Sequence, residues 1–260
     1  MKKILLNKAA IGLLLVSSTS AMATGFVTLS PTGYAVPGGT SAYTLCNTTG
    51  NFGQGTSLPP TTTANNTCAI FQNNPPLAGY TQVANAVRNV THNGVLIARV
   101  NDRVWRSGTS CIYGTRVRLQ AVEYAPGETF EVNDVMRGGF RNRGPISVAY
   151  FYNAAADEVL YRAGLTFTSA DTPPNPDRPL TTVAPISDNW VDFTSDLNSQ
   201  DPDGTTKPDS PWLYVRSTCS TAAPTALTGA IQIRQTGQEG QPIIYKSLPG
   251  FAPAGADTTP

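Results

Sequence analysis

Histidine is almost absent from this chain, since His92 is the only one in 260 residues. A serine or cysteine nucleophile normally needs a histidine base, and His92 lies in the stretch VTHNG, which is typical of a turn before a strand. The sequence contains no G-x-S-x-G elbow, no P-loop and no dinucleotide fingerprint. Carboxylate pairs that could hydrolyse glycosides are present, but most proteins contain such pairs. We therefore expect a protein that is not an enzyme.

Long apolar runs are missing as well. The longest clear one, Ala9 to Val16, is far shorter than the ~20 residues of a membrane-spanning helix. It follows a lysine-rich start and precedes Ala21-Met22-Ala23, which is the layout of a secretory signal peptide cleaved after Ala23. We expect residues 1–23 to be this signal peptide and the mature chain to have no transmembrane segment. The expected location is secreted, extracellular or at the cell surface, with the periplasm as an alternative.

Charged residues make up only 13% of the chain. After residue 23, 15 basic side chains face 17 acidic ones, so no electrostatic attraction to nucleic acid is expected. The distribution is uneven: Arg88 to Arg143 holds nine arginines and five acids, and Asp171 to Asp209 holds eight aspartates and two basic residues. Such asymmetry fits either a solvated surface or a head-to-tail contact between copies of the chain.

The chain has only four cysteines. An even number of cysteines in an exported protein predicts that they form disulfides, here two. The four residues are Cys46, Cys68, Cys111 and Cys219. Three pairings are open, and the local pair Cys46–Cys68 with the long-range pair Cys111–Cys219 fits the layout best. A zinc site is disfavoured because there is no C-x-x-C spacing.

Short strand-like runs separated by Gly, Pro, Asn and Asp recur along the chain and predict an all-β protein, an antiparallel β-sandwich with long loops. Whether the topology is jelly-roll or immunoglobulin-like stays open. The predicted strands are residues 95–100, 103–106, 111–113, 115–124, 129–132, 146–152, 158–161, 165–168, 212–216 and 230–233. Within 115–124, alternation places Val117 and Leu119 on a buried face and Arg116 and Arg118 on a wet face.

The domain organisation follows from these runs and from composition. We expect one β-sandwich domain over residues 24–248, with a disulfide-restrained loop region near its N-terminus, and a flexible tail over 249–260. One short helical turn is predicted at Val132 to Arg137, ended by Gly138-Gly139.

The stretch DLNSQDPDGTTKPDSP is rich in oxygen ligands of the kind that calcium prefers. Its DPDG core resembles the D-x-D-G core of thrombospondin-type and EF-hand calcium loops. Aligned on Gly204, however, the EF-hand pattern puts Ser199 and Ser210 where acidic ligands belong. We expect a solvated loop and no cofactor, with a calcium site as the alternative. Its candidate ligands are Asp196, Asn198, Asp201, Asp203 and Asp209.

The sequence favours two candidate functions. The first is a non-catalytic extracellular structural or surface protein that self-associates as a filament, fimbrial or matrix subunit, or binds another surface protein. Its candidate pairing strand is Phe26, Val27, Thr28, Leu29 and Ser30. The second is a secreted carbohydrate-binding or carbohydrate-processing β-sandwich. A glycan could contact Asn101 to Arg106 together with Gly138 to Arg143, where aromatic residues lie beside arginines. The alternative is a purely structural role, in which Trp105 belongs to the core and the neighbouring arginines cover the edge of the sheet.

Overall fold

The computed structural model describes residues 25–36, 38–46, 68–152, 160–167, 184–200, 206–236 and 241–259. Within these ranges the protein is all-β, as predicted, and no helix is long and apolar enough to cross a membrane. The predicted signal peptide, residues 1–23, lies outside the described residues.

Within the described residues, seventeen strands form two large sheets and two small ribbons. The strands are β1 (Val27–Thr28), β2 (Tyr34–Val36), β3 (Gly39–Ser41), β4 (Tyr43–Leu45), β5 (Ala69–Ile70), β6 (Thr81–His92), β7 (Val95–Ser107), β8 (Ser110–Leu119), β9 (Glu123–Ala125), β10 (Glu128–Thr129), β11 (Glu131–Gly138), β12 (Ser147–Phe151), β13 (Arg162–Gly164), β14 (Trp190–Asn198), β15 (Leu213–Thr218), β16 (Thr225–Thr236) and β17 (Ile243–Ala252).

Sheet 1 has seven strands in the order β1-β12-β15-β8-β7-β6, with β5 added in parallel beside β12. Sheet 2 has six strands in the order β17-β16-β11-β14-β13-β4. Every other pairing in the two sheets is antiparallel. The ribbons are β2–β3 and β9–β10.

The β6–β7 hairpin shows why the chain turns where it does. His92 pairs with Val95, and the two residues between them have positive φ, 50° at Asn93 and 80° at Gly94. Asn-Gly is the preferred sequence for such a turn because asparagine tolerates, and glycine readily adopts, left-handed backbone. The turn fixes the register of the longest hairpin of the fold.

The inner faces of the two sheets share one hydrophobic cluster, which gives the molecule a sandwich-like arrangement. Val100 and Val104 of β7 and Val117 of β8 belong to it together with Val135 of β11 and Phe193 of β14. All five are fully buried. The alternation predicted for β8 is confirmed, because Val117 and Leu119 are buried while Arg118 is exposed.

A buried ion pair links the same two sheets. Arg137 of β11 donates from Nη1 to Asp102 Oδ1 of β7 at 3.0 Å and to Thr115 Oγ1 of β8 at 2.6 Å. Its Nη2 donates to the Phe251 carbonyl of β17 at 2.5 Å, and the Phe251 N–H donates to Asp102 Oδ2 at 2.7 Å. Each charge is therefore held by groups from both sheets.

A second, aromatic cluster covers part of the outer face of sheet 1. Trp105 is completely buried there beside Trp212 and Tyr214. The residues that precede β6 lie over it, because the Trp105 Nε1–H donates to Asn74 Oδ1 at 3.1 Å. The interpretation of Trp105 as a core residue is therefore correct. A Cβ at Gly114 would lie 2.7 Å from the Trp105 ring, so glycine is needed for the ring to lie there.

Three details differ from the sequence-based expectations. The predicted helical turn at Val132 to Arg137 is wrong, since these residues belong to strand β11. A bulge between Val132 and Asp134 directs both Val132 and Val135 into the core, which imitates helical spacing. The strands predicted near 158–161 and 165–168 are replaced by β13 at Arg162–Gly164, and residues 153–159 and 168 lie outside the described ranges.

The structure also differs from the prediction of a flexible tail over residues 249–260. β17 continues through Ala252, and the segment after it is held by hydrogen bonds. Arg143 Nη2 donates to the Ala254 carbonyl at 2.7 Å, and Asn189 Nδ2 donates to Asp257 Oδ1 at 3.0 Å. Composition could not predict these bonds because their partners are distant in sequence.

Candidate functional site

The outer face of sheet 1 carries an array of exposed and half-buried arginines and amides, together with one valine, on β6, β7 and β8, which we call the arginine face. The strand register arranges it in cross-strand rows. Its members are Asn85, Val87, Asn89, Arg99, Asn101, Arg103, Arg116 and Arg118. Neighbouring strands lie ~4.8 Å apart, so the side chains of one row are close enough to bind the same ligand.

One row places two arginines directly opposite each other. Asn89 pairs with Arg99, and Arg99 pairs with Arg118. Arg99 is exposed and has no hydrogen-bond or ion-pair partner among the described residues. Like charges directly opposite each other destabilise a sheet. An unpaired cation in this position indicates a site at which an anion would be favourable.

The neighbouring arginine of β7 is held in place. Arg103 Nε donates to Asn85 Oδ1 at 3.2 Å, and its guanidinium lies 4.7 Å from the centre of the Trp212 ring. Stacking on an aromatic ring fixes the plane of a guanidinium while its outer N–H groups remain able to donate.

The other two arginines share one carboxylate. Arg118 Nε donates to Asp209 Oδ1 at 3.1 Å, and Arg116 Nη2 donates to Asp209 Oδ2 at 3.3 Å. The arginine-rich and aspartate-rich stretches therefore meet within one chain. Arg141 and Asp188, 3.0 Å apart, give a second such contact. Asp171, Asp177, Asp201 and Asp203 lie outside the described residues, and a head-to-tail contact between copies stays a prediction.

The free edge of sheet 1 is strand β6. It is 12 residues long, pairs with β7 on one side, and has no strand on the other side among the described residues. Val87 is 55% exposed on it. The only arginine of β6, Arg88, points inward, 3.9 Å from Asp102 and 5.5 Å from the centre of the Phe251 ring.

The outer face of sheet 2 contains a buried polar layer: Tyr43, Asp134, Arg162, Asp192, Thr194 and Arg234. Asp134 and Arg234 form a close ion pair, and the Tyr43 hydroxyl donates to Asp192 Oδ2. Burial first, and the nearby Asp134 carboxylate second, raise the pKa of Asp192 well above its usual range. Burial likewise raises the pKa of Tyr43.

The chemistry of this polar layer is limited by its burial. Its six side chains are at most 7% exposed, so a substrate cannot reach the two carboxylates in this conformation. The Arg162 guanidinium lies 4.0 Å from the centre of the Tyr43 ring, and its Nε donates to Thr194 Oγ1 at 3.1 Å. These contacts tie β4, β13 and β14 together, which is a structural role.

No match to this chain was found among protein-family models, curated proteins or solved structures. Its function must be argued from its own residues.

The predicted disulfide pairs are both present, Cys46–Cys68 and Cys111–Cys219. The first closes a sequence separation of 22 residues and the second one of 108. No free cysteine is found among the described residues. The pairing favoured from the sequence is thus confirmed.

The candidate calcium ligands have different surroundings. Asp209 pairs with Arg116 and Arg118, and Asn198 exchanges backbone hydrogen bonds with Lys207 at 3.1 Å. Asp196 lies on β14, and Asp201 and Asp203 fall outside the described residues. Within the described ranges no group of three or more His, Cys, Asp or Glu side chains could hold a metal ion. The calcium alternative stays a prediction.

The candidate self-association segment is part of its own sheet. Val27 and Thr28 pair with Val148 and Ser147 of β12, and Leu29 is buried in the core. Phe26 lies against Tyr214, with their ring centres 6.3 Å apart. An exchange of this segment between copies would have to replace these contacts with the same contacts in a neighbour.

The arginine face and the β6 edge were only partly accessible from sequence. The alternation of Arg116 and Arg118 is visible in the sequence, but the strand that borders the face is not, because its inward residues Ala84, Ala86 and Arg88 do not give the apolar alternation of a half-buried strand. The signal that could have revealed β6 is Asn93-Gly94 flanked by alternating residues, a strong hairpin pattern.

Proposed function

We propose that this protein is an exported, non-catalytic structural protein of the extracellular space or cell surface, which self-associates through the open edge of β6. The single observation that carries the proposal is the contrast between β6 and the other sheet edges. The two disulfides support an oxidising compartment, and the N-terminal signal-peptide pattern supports export.

The other edges carry features that natural proteins use against edge-to-edge association. β1 and β5 are two residues long and β4 is three. β17 is ten residues long but contains Lys246 and Pro249. Lysine, proline and shortness each disfavour the addition of another strand.

Strand β6 has little of this protection. Bulges lie near its two ends, between Gln82 and Ala84 and between Val90 and Thr91. Pairing with β7 is regular between them. The seven residues from Ala84 to Val90 contain no proline and no lysine, and Arg88 is directed toward Asp102. A second copy can therefore add its own β6 antiparallel to this edge, as strands do in β-augmentation.

The strength of this contact can be bounded. Pairing seven residues forms on the order of six main-chain hydrogen bonds, each with a net contribution of about 1 kcal/mol. Association costs about 4–15 kcal/mol in lost freedom. The β6–β6 contact alone is therefore weak and depends on protein concentration, which suits a subunit held at high density in a matrix or on a surface.

A two-fold β6–β6 contact closes on itself and yields a dimer. Growth into a filament needs a second contact. The opposite edge of sheet 1 carries β1, so an exchange of Phe26 to Ser30 between copies would supply it. Deleting this segment also removes Leu29 from the core, so it is a less selective test than a substitution on β6.

The test uses Val87→Lys, which places a charge on the exposed edge without touching the core. The matched control is Val122→Lys, because Val122 is also exposed, at 36%, and lies outside every strand. Sedimentation velocity over a range of concentrations should show association for the wild type and the control and a monomer for Val87→Lys. A monomeric wild type at high concentration, or equal association of all three proteins, contradicts the proposal.

A further inference from the structure

We infer that the arginine face binds an anionic polysaccharide, an extended glycan with carboxylate or sulfate groups along its chain. This interaction goes beyond self-association, because the face is complete in a single chain. Its residues project from the three adjacent strands β6, β7 and β8.

The arginine face brings like charges together. Arg99 and Arg118 are direct cross-strand partners, an arrangement that costs stability. Asp209 contacts Arg118 and Arg116, whereas Arg99 has no ion-pair partner among the described residues. An anionic group above this row would be shared by Arg99 and its neighbours, and the repulsion would become a binding contribution.

Arg103 of the arginine face is already held in one orientation. Arg103 is positioned by the bond from its Nε to Asn85 Oδ1 and by its stacking on Trp212. Its two Nη groups have no hydrogen-bond partner among the described residues. A guanidinium presents paired N–H donors that match a carboxylate or sulfate, so a ligand meets a donor set whose orientation is already fixed. Less side-chain freedom is then lost on binding.

The spacing fits a chain rather than a single small anion. Arg99 and Arg103 are four residues apart on one strand, hence ~13 Å apart at ~3.3 Å per residue. Asn101 lies between them on the same face. An extended polymer with repeated negative groups can contact both guanidiniums without drawing Arg103 away from the Trp212 ring.

The amides favour a glycan over other polyanions. Asn85, Asn89 and Asn101 belong to the same rows as the arginines, and an amide both donates to and accepts from sugar hydroxyl groups. Nucleic acid is less suited because Trp212, only 5% exposed, offers little surface for base stacking.

Self-association would strengthen such binding. A β6–β6 contact would continue sheet 1 into a second copy and place two arginine faces on one extended sheet. Two linked faces raise the effective concentration of the second site for the same polymer. Val87 belongs to the arginine face, so Val87→Lys also adds a cation to the binding surface. Arg99→Gln with Arg103→Gln leaves β6 unchanged and should lose polymer binding while it keeps self-association, so failure of either proposal can be recognised separately.

The experiment measures binding of the mature, disulfide-bonded protein to four immobilised polymers. Heparin supplies sulfates, polygalacturonate supplies carboxylates, dextran is a neutral glycan, and double-stranded DNA is a non-glycan polyanion. We expect binding to heparin, polygalacturonate or both, and the pattern identifies the anionic group. Raising the salt concentration should weaken it, since exposed charges are screened. Absence of binding to both anionic glycans, or tighter binding to DNA, overturns the inference.

The matched variants locate the site. Arg99→Gln with Arg103→Gln should weaken binding about tenfold or more, because a hydrogen bond to a charged group contributes more than a neutral one. Arg141→Gln removes the same charge from a residue that pairs with Asp188 away from this face and should bind like the wild type. If the double variant does not fold, Arg99→Gln alone replaces it, because Arg99 makes no described polar contact. Unchanged binding of the arginine-face variant overturns the inference.

Discussion

Replacing Arg137 with methionine should destabilise the protein by about 3–5 kcal/mol, because the change leaves a carboxylate buried between the sheets without its cation. Arg137 and Asp102 are both fully buried. Burial raises the pKa of Asp102, and Arg137 is the main opposing influence. Without Arg137, Asp102 keeps the Phe251 N–H at 2.7 Å and the distant Arg88 at 3.9 Å, which cannot replace a direct ion pair.

The magnitude follows from what each variant leaves behind. Asp102→Leu alone leaves the buried Arg137 guanidinium without its counter-ion. Arg137 still has Thr115 and the Phe251 carbonyl as hydrogen-bond acceptors. The double variant, Arg137→Met with Asp102→Leu, removes both charges and should cost much less than the sum of the single changes. Arg141→Met, which breaks a partly exposed ion pair with Asp188, should cost far less than Arg137→Met, because exposed ion pairs contribute little to stability.

Urea unfolding of the four variants and the wild type, with both disulfides intact, gives these free energies and the coupling between the two residues. A cost below about 1 kcal/mol for Arg137→Met would refute the reasoning. So would simple additivity in the double variant, because it would mean that the two charges are not held against each other between the sheets.

Three further predictions concern the rest of the molecule. Because burial raises the pKa of Asp192 above its ordinary value of 3.8, the folded state holds a proton that the unfolded state releases. Stability should therefore fall as the pH rises from about 4 toward the raised pKa, and Asp192→Asn should show a smaller fall in thermal unfolding between pH 5 and 9; an equal fall contradicts this assignment. Alkylation without reductant, followed by mass spectrometry, should label none of the four cysteines, and labelling of two or more is incompatible with the two disulfides. Calcium should raise the melting temperature by no more than about 1–2 °C; a larger rise that is lost in Asp201→Ala would establish the calcium alternative, because a ligand that binds the native state stabilises it.

The fold class was accessible from sequence because the relevant signals are local. Val117 and Leu119 alternate with arginines along β8, and turn residues separate the apolar runs. Sheet 2 was harder to predict because its central strands β11 and β14 are buried on both faces. All nine residues of β14 except Asp196 are buried, so Trp190, Asp192 and Thr194 break the alternation that marks a half-exposed strand.

The candidate sites depend on contacts that sequence does not encode locally. Arg99 and Arg118 are opposite each other only because the β7–β8 register is set by a turn at residues 108 and 109. The pairing of Asp209 with Arg118 spans 91 residues. The openness of β6 depends on which strand has no further neighbour, which is a property of the whole sheet order.

The most direct measurement of the proposed self-association is backbone hydrogen exchange of the wild-type protein at low and high concentration. Ala84 to Val90 should become more protected as concentration rises, because their edge N–H groups then pair with a second copy. The equivalent amides of β17, the edge with Lys246 and Pro249, should exchange at the same rate at both concentrations. Exchange in β6 that does not depend on concentration, in a protein that remains monomeric, would contradict the account.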